Sequence, residues 1–514
     1  MASCTRRELI EGAIGVSTIA LAGFARAAAG HNTPQSLDFA PALTAARAIR
    51  DGEVSSVKLT RAVFERIDRH NPAINAFAYL LRDEALKRAQ EMDNALASGR
   101  ILGPLHGVPV TVKESFGVAG YPCTWGLEDL RNSKAPANSD VVERLLGSGV
   151  VLIGATNAPQ ALADVQTYND FYGTTNNPWD VRRTPGGSSG GSAAALAAGF
   201  GYLSVGSDIG GSIRQPASFC GIFGHKPTLD IVSDIGHEPG GRRVSPGFST
   251  LLAVCGPMAR DAGDLLASME ILAGPNGAAS KAWTWKVPPP RAHTLADFRV
   301  GYVLDDPWTP VSSDVRPALA GAIRVLERAT AKLKPGWPAG FSIVDLDETY
   351  RYMTRAFEFS MVPEGDKPAE RARLRRSADP RARAAFASFA DWQVRNLKRL
   401  DFRAQWQAYF EEVDVFLSPV VFTAAFVHDH REPKASRRIE TPEGLRNYWD
   451  TLRWIEPATL TGCPATVAPV GRTTSGLPVG IQVMGPYLED ATPITFAGLL
   501  STEFGGFAPP PGFV

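Results

Sequence analysis

The stretch from Arg183 to Arg214, RTPGGSSGGSAAALAAGFGYLSVGSDIGGSIR, constrains this 514-residue chain more than any other. It holds two glycine–serine knots. The first is Gly186-Gly187-Ser188-Ser189-Gly190-Gly191-Ser192, and the second is Asp208-Ile209-Gly210-Gly211-Ser212. Between them run a small-residue helix pattern, Ser192 to Gly199, and an apolar strand pattern, Tyr202 to Val205. Glycine lets a backbone turn sharply and leaves its N–H groups unshielded. Such N–H groups beside a serine suit an oxyanion hole next to a nucleophile. A flexible Gly/Ser linker has a similar composition. A linker, however, is not followed at once by an Ala-rich helix and a buried strand. The second knot also runs into the apolar Phe219-Cys220-Gly221-Ile222-Phe223. Both knots therefore read as tight turns inside a core.

Around them, short apolar runs alternate with helical patterns. Leu105 to Val112 is a strand pattern ending at Lys113, and Val150 to Ala155 is a continuous apolar strand. Helical patterns cover Asp38 to Arg50, Arg82 to Ser98 and Ser139 to Leu146. Another, capped by Ser55 or Ser56, carries Leu59, Val63, Phe64 and Ile67 at helical spacing. This alternation predicts an α/β fold: one large domain on a central mixed, largely parallel sheet flanked by helices. Further along, Asp314 to Leu333 reads as an amphipathic helix, and Asp414 to Val421 and Leu477 to Met484 read as strands. The arginine-dense Arg371 to Arg383 reads as a solvated helical face, not a nucleic-acid patch. With 53 basic and 53 acidic residues, the chain has no net charge to draw it to nucleic acid or an anionic membrane.

A serine hydroxyl is a poor nucleophile until a base takes its proton. Lys113 is the candidate base, and it can accept a proton only when neutral. Burial at a strand end and nearby positive charge would lower its pKa. Gly187-Ser188-Ser189-Gly190-Gly191 comes close to the G-x-S-x-G nucleophile elbow, but that motif needs a strand directly before it. Val181-Arg182-Arg183-Thr184-Pro185 is not one. His225, His237, His428 and His430 sit in no recognisable catalytic context, and Cys220 reads as packing.

The two knots, the second extended through Ile213-Arg214, and the upstream His106-Gly107-Val108-Pro109-Val110-Thr111-Val112-Lys113-Glu114 together resemble the amidase signature family of serine hydrolases. The resemblance runs from Leu37 to Phe507. It implies a catalytic Ser-cisSer-Lys triad. In it Ser212 is the acylated nucleophile, Ser188 is the bridging serine after a cis Gly187-Ser188 peptide, and Lys113 is the base. It further implies an oxyanion hole from the N–H groups of Ile209, Gly210 and Gly211 together with Ser212. Gly187, Ser189, Asp208 and Arg214 fall in supporting places. Glu114 stands where many members carry aspartate, which keeps the carboxylate.

The implied activity is hydrolysis of a carboxylic amide, or of an ester or carbamate, through an acyl-enzyme to a carboxylate and an amine or ammonia. Two alternatives stand beside it: a glutaminase-type subunit of a transamidating complex acting on charged tRNA, and a periplasmic binding protein on an inactive hydrolase scaffold. The expected partner is a small-molecule amide, without nucleic acid, and a homodimer is compatible with the chain. The five cysteines, Cys4, Cys123, Cys220, Cys255 and Cys463, are scattered without a C-x-x-C, so no metal is expected and buried free thiols are the default. No nucleotide or metal fingerprint appears, so no cofactor is expected.

At the N-terminus, Thr5-Arg6-Arg7-Glu8-Leu9-Ile10 resembles a twin-arginine export motif. An apolar run, Ala13 to Ala25, and Ala27-Ala28-Ala29 as a cleavage site follow. The expected organisation is a removed signal over residues 1–29 and a catalytic domain over 30–514, with no membrane contact after removal. The expected location is periplasmic or secreted, with a cytoplasmic location as the alternative.

Overall fold

A computed structural model describes residues 37–241, 252–360, 362, 364–377 and 380–513. The expected signal over residues 1–29 lies outside the described residues. From Phe39 onward the chain forms one compact unit. Its eleven main strands are β1 (Phe77–Leu80), β2 (Pro109–Lys113), β3 (Val151–Thr156), β4 (Leu203–Asp208), β5 (Phe223–Lys226), β6 (Val254–Ala259), β7 (Arg299–Tyr302), β8 (Lys332–Pro335), β9 (Val415–Pro419), β10 (Ala465–Arg472) and β11 (Pro478–Met484). They join in one sheet in the order β1-β3-β2-β4-β6-β5-β10-β11-β9-β7-β8.

The expected α/β domain with a mixed central sheet is what forms. Parallel pairing falls in two blocks, β3-β2-β4 and β9-β7-β8. The centre between them is antiparallel, so the parallel share is smaller than the apolar runs suggest. The reason lies in the connections. Strands β10 and β11 are buried and apolar like parallel strands, but only residues 473–477 join them, closed by Thr473 N–H donating to Leu477 O at 2.8 Å. A parallel crossover needs about a dozen residues or more.

The expected serine cap forms at Ser55, and a second serine caps another of the expected helices. Ser55 Oγ accepts the Lys58 N–H at 3.0 Å and opens Ser56–Ile74. Ser139 Oγ accepts the Val142 N–H at 3.3 Å and opens Asp140–Gly147. One helix end differs most. The helix expected to reach Leu333 ends at Arg328; Thr330 then takes φ 59°, and Lys332 begins β8 beside β7. A non-glycine residue in that left-handed region interrupts a right-handed helix. The arginine-dense segment begins in the helix Lys367–Arg375, where Arg371, Arg373 and Arg375 are exposed as expected. Cys123, Cys220, Cys255 and Cys463 are buried free thiols.

The site is set by close packing on the inner edge of β4. The helix Gly190–Ala197 is buried along its whole length, and its small side chains let it lie flat on the sheet. Gly191 abuts backbone: a Cβ there would come within 2.5 Å of Asn157 O and 2.7 Å of Ala76 O. Only glycine allows that approach.

Candidate active site

Strands β2 and β4 run side by side and parallel, pairing Val112 with Val205. Their ends bring Lys113 and Ser207 together next to the first knot. Lys113 Nζ lies 2.6 Å from Ser188 Oγ and 3.1 Å from Ser207 Oγ. The lysine is 0% exposed. Burial lowers its pKa from 10.5 to about 7, against the upward pull of the Asp208 and Glu114 carboxylates. A buried ammonium loses its water shell, so the neutral amine gains population. Glu114 faces away from the amine. It accepts the Thr124 N–H at 2.6 Å, the Thr124 hydroxyl at 2.7 Å and the Trp125 N–H at 3.0 Å.

The first knot carries Ser188 on a cis Gly187-Ser188 peptide. Gly187 has no space for a side chain: a Cβ would meet Gln166 O at 2.6 Å and Asp164 O at 2.7 Å. Ser189 ties the knots together. Its N–H donates to Ser212 O at 3.1 Å, its hydroxyl donates to Ser207 O at 3.3 Å, and it accepts the Ser207 N–H at 3.3 Å. Ser188 is 1% exposed and Ser212 7% exposed, so Ser212 is the more accessible of the two. Among the described residues no hydrogen bond joins the Ser188 and Ser212 hydroxyls; the link between them is the Ser189 backbone.

The second knot is wound around Asp208. Its carboxylate accepts the N–H groups of Gly211 at 3.0 Å, Ile213 at 3.1 Å and Arg214 at 3.3 Å. The Arg214 guanidinium closes on the same carboxylate at 3.0 and 2.8 Å. Burial alone would raise the Asp208 pKa, but the Arg214 charge and hydrogen bonds outweigh it and hold the pKa below its ordinary value. Arg214 continues to Ile455 O at 2.8 Å, Gln482 Oε1 at 2.7 Å and Thr459 Oγ1 at 2.6 Å. This anchors the loop to the far half of the chain. The expected oxyanion donors divide. The Gly211 N–H is taken by Asp208, as its φ of 81° turns it inward. The N–H groups of Ile209, Gly210 and Ser212 donate to no acceptor among the described residues. The Ile209 carbonyl, in turn, accepts the Tyr350 hydroxyl at 2.9 Å.

The rival nucleophile systems are closed off. His225 bridges Thr466 Oγ1 at 2.9 Å and Asp490 Oδ1 at 3.0 Å, which resembles a hydroxyl–imidazole–carboxylate relay. All three side chains are buried, so it is a strut between β5 and the segment beyond β11. His237 stands 2.9 Å from Ser115 Oγ, and burial followed by the Lys113 charge lowers its pKa to about 3. His428 reaches Asn176 at 3.1 Å, and His430 stacks on Tyr168 with centroids 3.8 Å apart. Burial pushes the Cys220 thiol up, and its Sγ rests 3.6 Å from Pro185 O. Among the described residues no strand leads into Gly187, so the elbow match is accidental.

Four contributors escaped the sequence reading: Ser207, Tyr350, Thr459 and Gln482. Ser207 had a signal, since it directly precedes Asp208 in the second knot. The others lie about 140 to 270 residues from the loop they touch, so nothing local marks them.

Known proteins resemble this chain along most of its length. The A subunit of glutamyl-tRNA(Gln) amidotransferase from Synechococcus sp. (strain CC9605) is 32% identical over 472 residues, covering 86% of this chain and 92% of that protein. The crystal structure of an amidase superposes with a TM-score of 0.73 at 27% identity, covering 90% of this chain and 99% of that one. A bacterial aryl acylamidase of the amidase signature enzymes shares the fold, with a TM-score of 0.74 at 21% identity, covering 91% of this chain and 98% of that one. With the Amidase family matching across residues 58–493, this chain belongs to that family.

Proposed function

We propose that this protein is an amidase that hydrolyses a carboxylic amide through an acyl-enzyme on Ser212. The observation that carries the reading is the fully buried Lys113 amine 2.6 Å from Ser188 Oγ, with the Ser212 carbonyl accepting the N–H of Ser189. In this reading Ser212 Oγ attacks the amide carbonyl carbon. Its proton passes to Ser188 Oγ as the Ser188 proton passes to Lys113 Nζ. The N–H groups of Ile209, Gly210 and Ser212 supply candidate donors to the oxyanion. The tetrahedral intermediate then breaks its C–N bond, and the relay returns the proton to the leaving nitrogen. Water enters, loses a proton along the same path, and releases the carboxylic acid from Ser212. Aryl and aliphatic amides, esters and carbamates all fit this chemistry.

A second reading is a glutaminase-type subunit of a transamidating complex, favoured by the 32% identity to the glutamyl-tRNA(Gln) amidotransferase protein. The export-like residues 1–29 favour a free hydrolase, with residues 30–514 as its catalytic domain in the periplasm or outside the cell. The deciding experiment is purified protein, alone, against a panel of amides and esters. Turnover without a partner protein or tRNA, lost in a well-folded Ser212→Ala protein, supports the amidase. Turnover that survives Ser212→Ala refutes the assignment, and activity that needs tRNA and a co-purified partner favours the second reading.

A further inference from the structure

A neutral lysine has one lone pair and two N–H bonds. To receive a proton from Ser188, the Lys113 lone pair must face Ser188 Oγ. The two N–H bonds must then point elsewhere, and a fully buried amine is stable only where acceptors receive them. Among the described residues Lys113 Nζ has one other hydrogen-bond partner, Ser207 Oγ at 3.1 Å. Ser207 is buried at the end of β4, and its main chain is held at both N–H and C=O by the Ser189 hydroxyl. Its hydroxyl is therefore delivered to the amine by the same clamp that carries the neighbour of Ser188. A Ser207 hydroxyl that accepts one N–H leaves the lone pair turned towards Ser188.

We propose that Ser207 is a positioning residue that orients the Lys113 amine for proton transfer from Ser188 and takes no part in substrate binding. The inference rests on the amidase reading above. It predicts a kinetic signature. Without the acceptor the amine rotates freely, so proton transfer slows while substrate affinity is kept. The ammonium also loses an acceptor, and it depends on hydrogen bonds more than the amine does. The protonated form is therefore disfavoured, and the acid limb of the rate profile moves to lower pH.

The test is kcat, KM and the pH profile of a chromogenic amide for wild type, Ser207→Ala, Ser207→Thr and Lys113→Ala, with thermal melts for each. The expected Ser207→Ala result is a fall in kcat of about tenfold or more, a KM within about twofold, and an acid limb displaced downward. Ser207→Thr, which keeps the hydroxyl, should restore the limb. Three results overturn the proposal: a Ser207→Ala enzyme with wild-type kcat and limb; a loss with the limb unmoved; or an equal deficit in Ser207→Thr, which assigns the loss to packing. Lys113→Ala separates the two levels. If it abolishes acylation while Ser207→Ala is silent, the amidase reading stands and this inference falls. If it keeps the rising limb, both fall.

Discussion

Replacing Lys113 with methionine should destroy activity and, at neutral pH, stabilise the fold. The pKa lowered by burial from 10.5 to about 7 means that folding at pH 7 or below places a strongly disfavoured charge, or its proton loss, inside the protein. At about 1.4 kcal/mol per pKa unit this penalty has a ceiling of about 5 kcal/mol. Methionine is similar in length and carries no charge. It forfeits the contacts to Ser188 and Ser207, together worth about 2 kcal/mol. The net expectation at pH 7 is therefore a gain of about 2–3 kcal/mol. The sign with pH is fixed by linkage. Between about 7 and 10.5 the unfolded wild-type chain binds a proton at this lysine that the folded chain does not, so wild-type stability rises with pH. The advantage of Lys113→Met should shrink by about 1.4 kcal/mol per pH unit and vanish on the order of pH 9. Lys226, also lowered by burial to about 7, is common to both proteins and cancels in the difference. Urea unfolding of both proteins from pH 6 to 9.5 measures it. A variant less stable than wild type at pH 7, or a difference flat in pH, refutes the neutral buried amine.

Three other outcomes are expected. Arg214→Leu strips the buried Asp208 carboxylate of its guanidinium partner and should cost about 3–5 kcal/mol in unfolding experiments, with the deficit smaller in acid where Asp208 can take a proton. Gly187→Ala drives a Cβ to within 2.6 Å of Gln166 O, so soluble expression and melting temperature should both fall well below those of Gly120→Ala, where nothing stands within 4 Å. Gly120 has the positive φ, so backbone strain alone would make Gly120→Ala the worse variant, and the opposite order reports the contact at Gly187. Arg6→Lys with Arg7→Lys should hold the precursor in the cytoplasm, and unchanged recovery in the periplasmic fraction would show that residues 1–29 are not such a signal.

What could be read beforehand was what is local. A run such as Val150 to Ala155 has one stable use, a strand buried on both faces, and β3 forms there. Capping serines announce helix starts because their oxygens satisfy N–H groups only two or three residues away, as Ser55 and Ser139 do. The knots were legible for a similar reason: Gly187 and Gly191 sit where backbone meets backbone, and few other residues could stand there. Pairing direction was less legible, because apolar content reports burial and only the length of the connection reports direction.

The site itself divides along the same line. Lys113 ends an apolar strand pattern, and Ser188 and Ser212 stand in segments whose composition betrays tight, buried turns. The candidate oxyanion donors fall on a loop but cannot be sorted from the sequence, because which N–H is free depends on where Asp208 lies. The apolar strand pattern ends at Val205, whereas β4 runs on to Asp208. Those three further residues set the Asp208 carboxylate under the turn, where it takes the Gly211 N–H and leaves those of Ile209, Gly210 and Ser212 without an acceptor among the described residues. The loop is then held from outside by side chains with no common pattern: Tyr350 on the Ile209 carbonyl, and Thr459 and Gln482 on Arg214. A single tyrosine or glutamine far along a chain is ordinary until the fold brings it against a backbone group that lacks a partner. The candidate serines and the carboxylate that sorts the N–H groups therefore lie in the knots, while the side chains that hold the loop in place come from residues the knots do not contain.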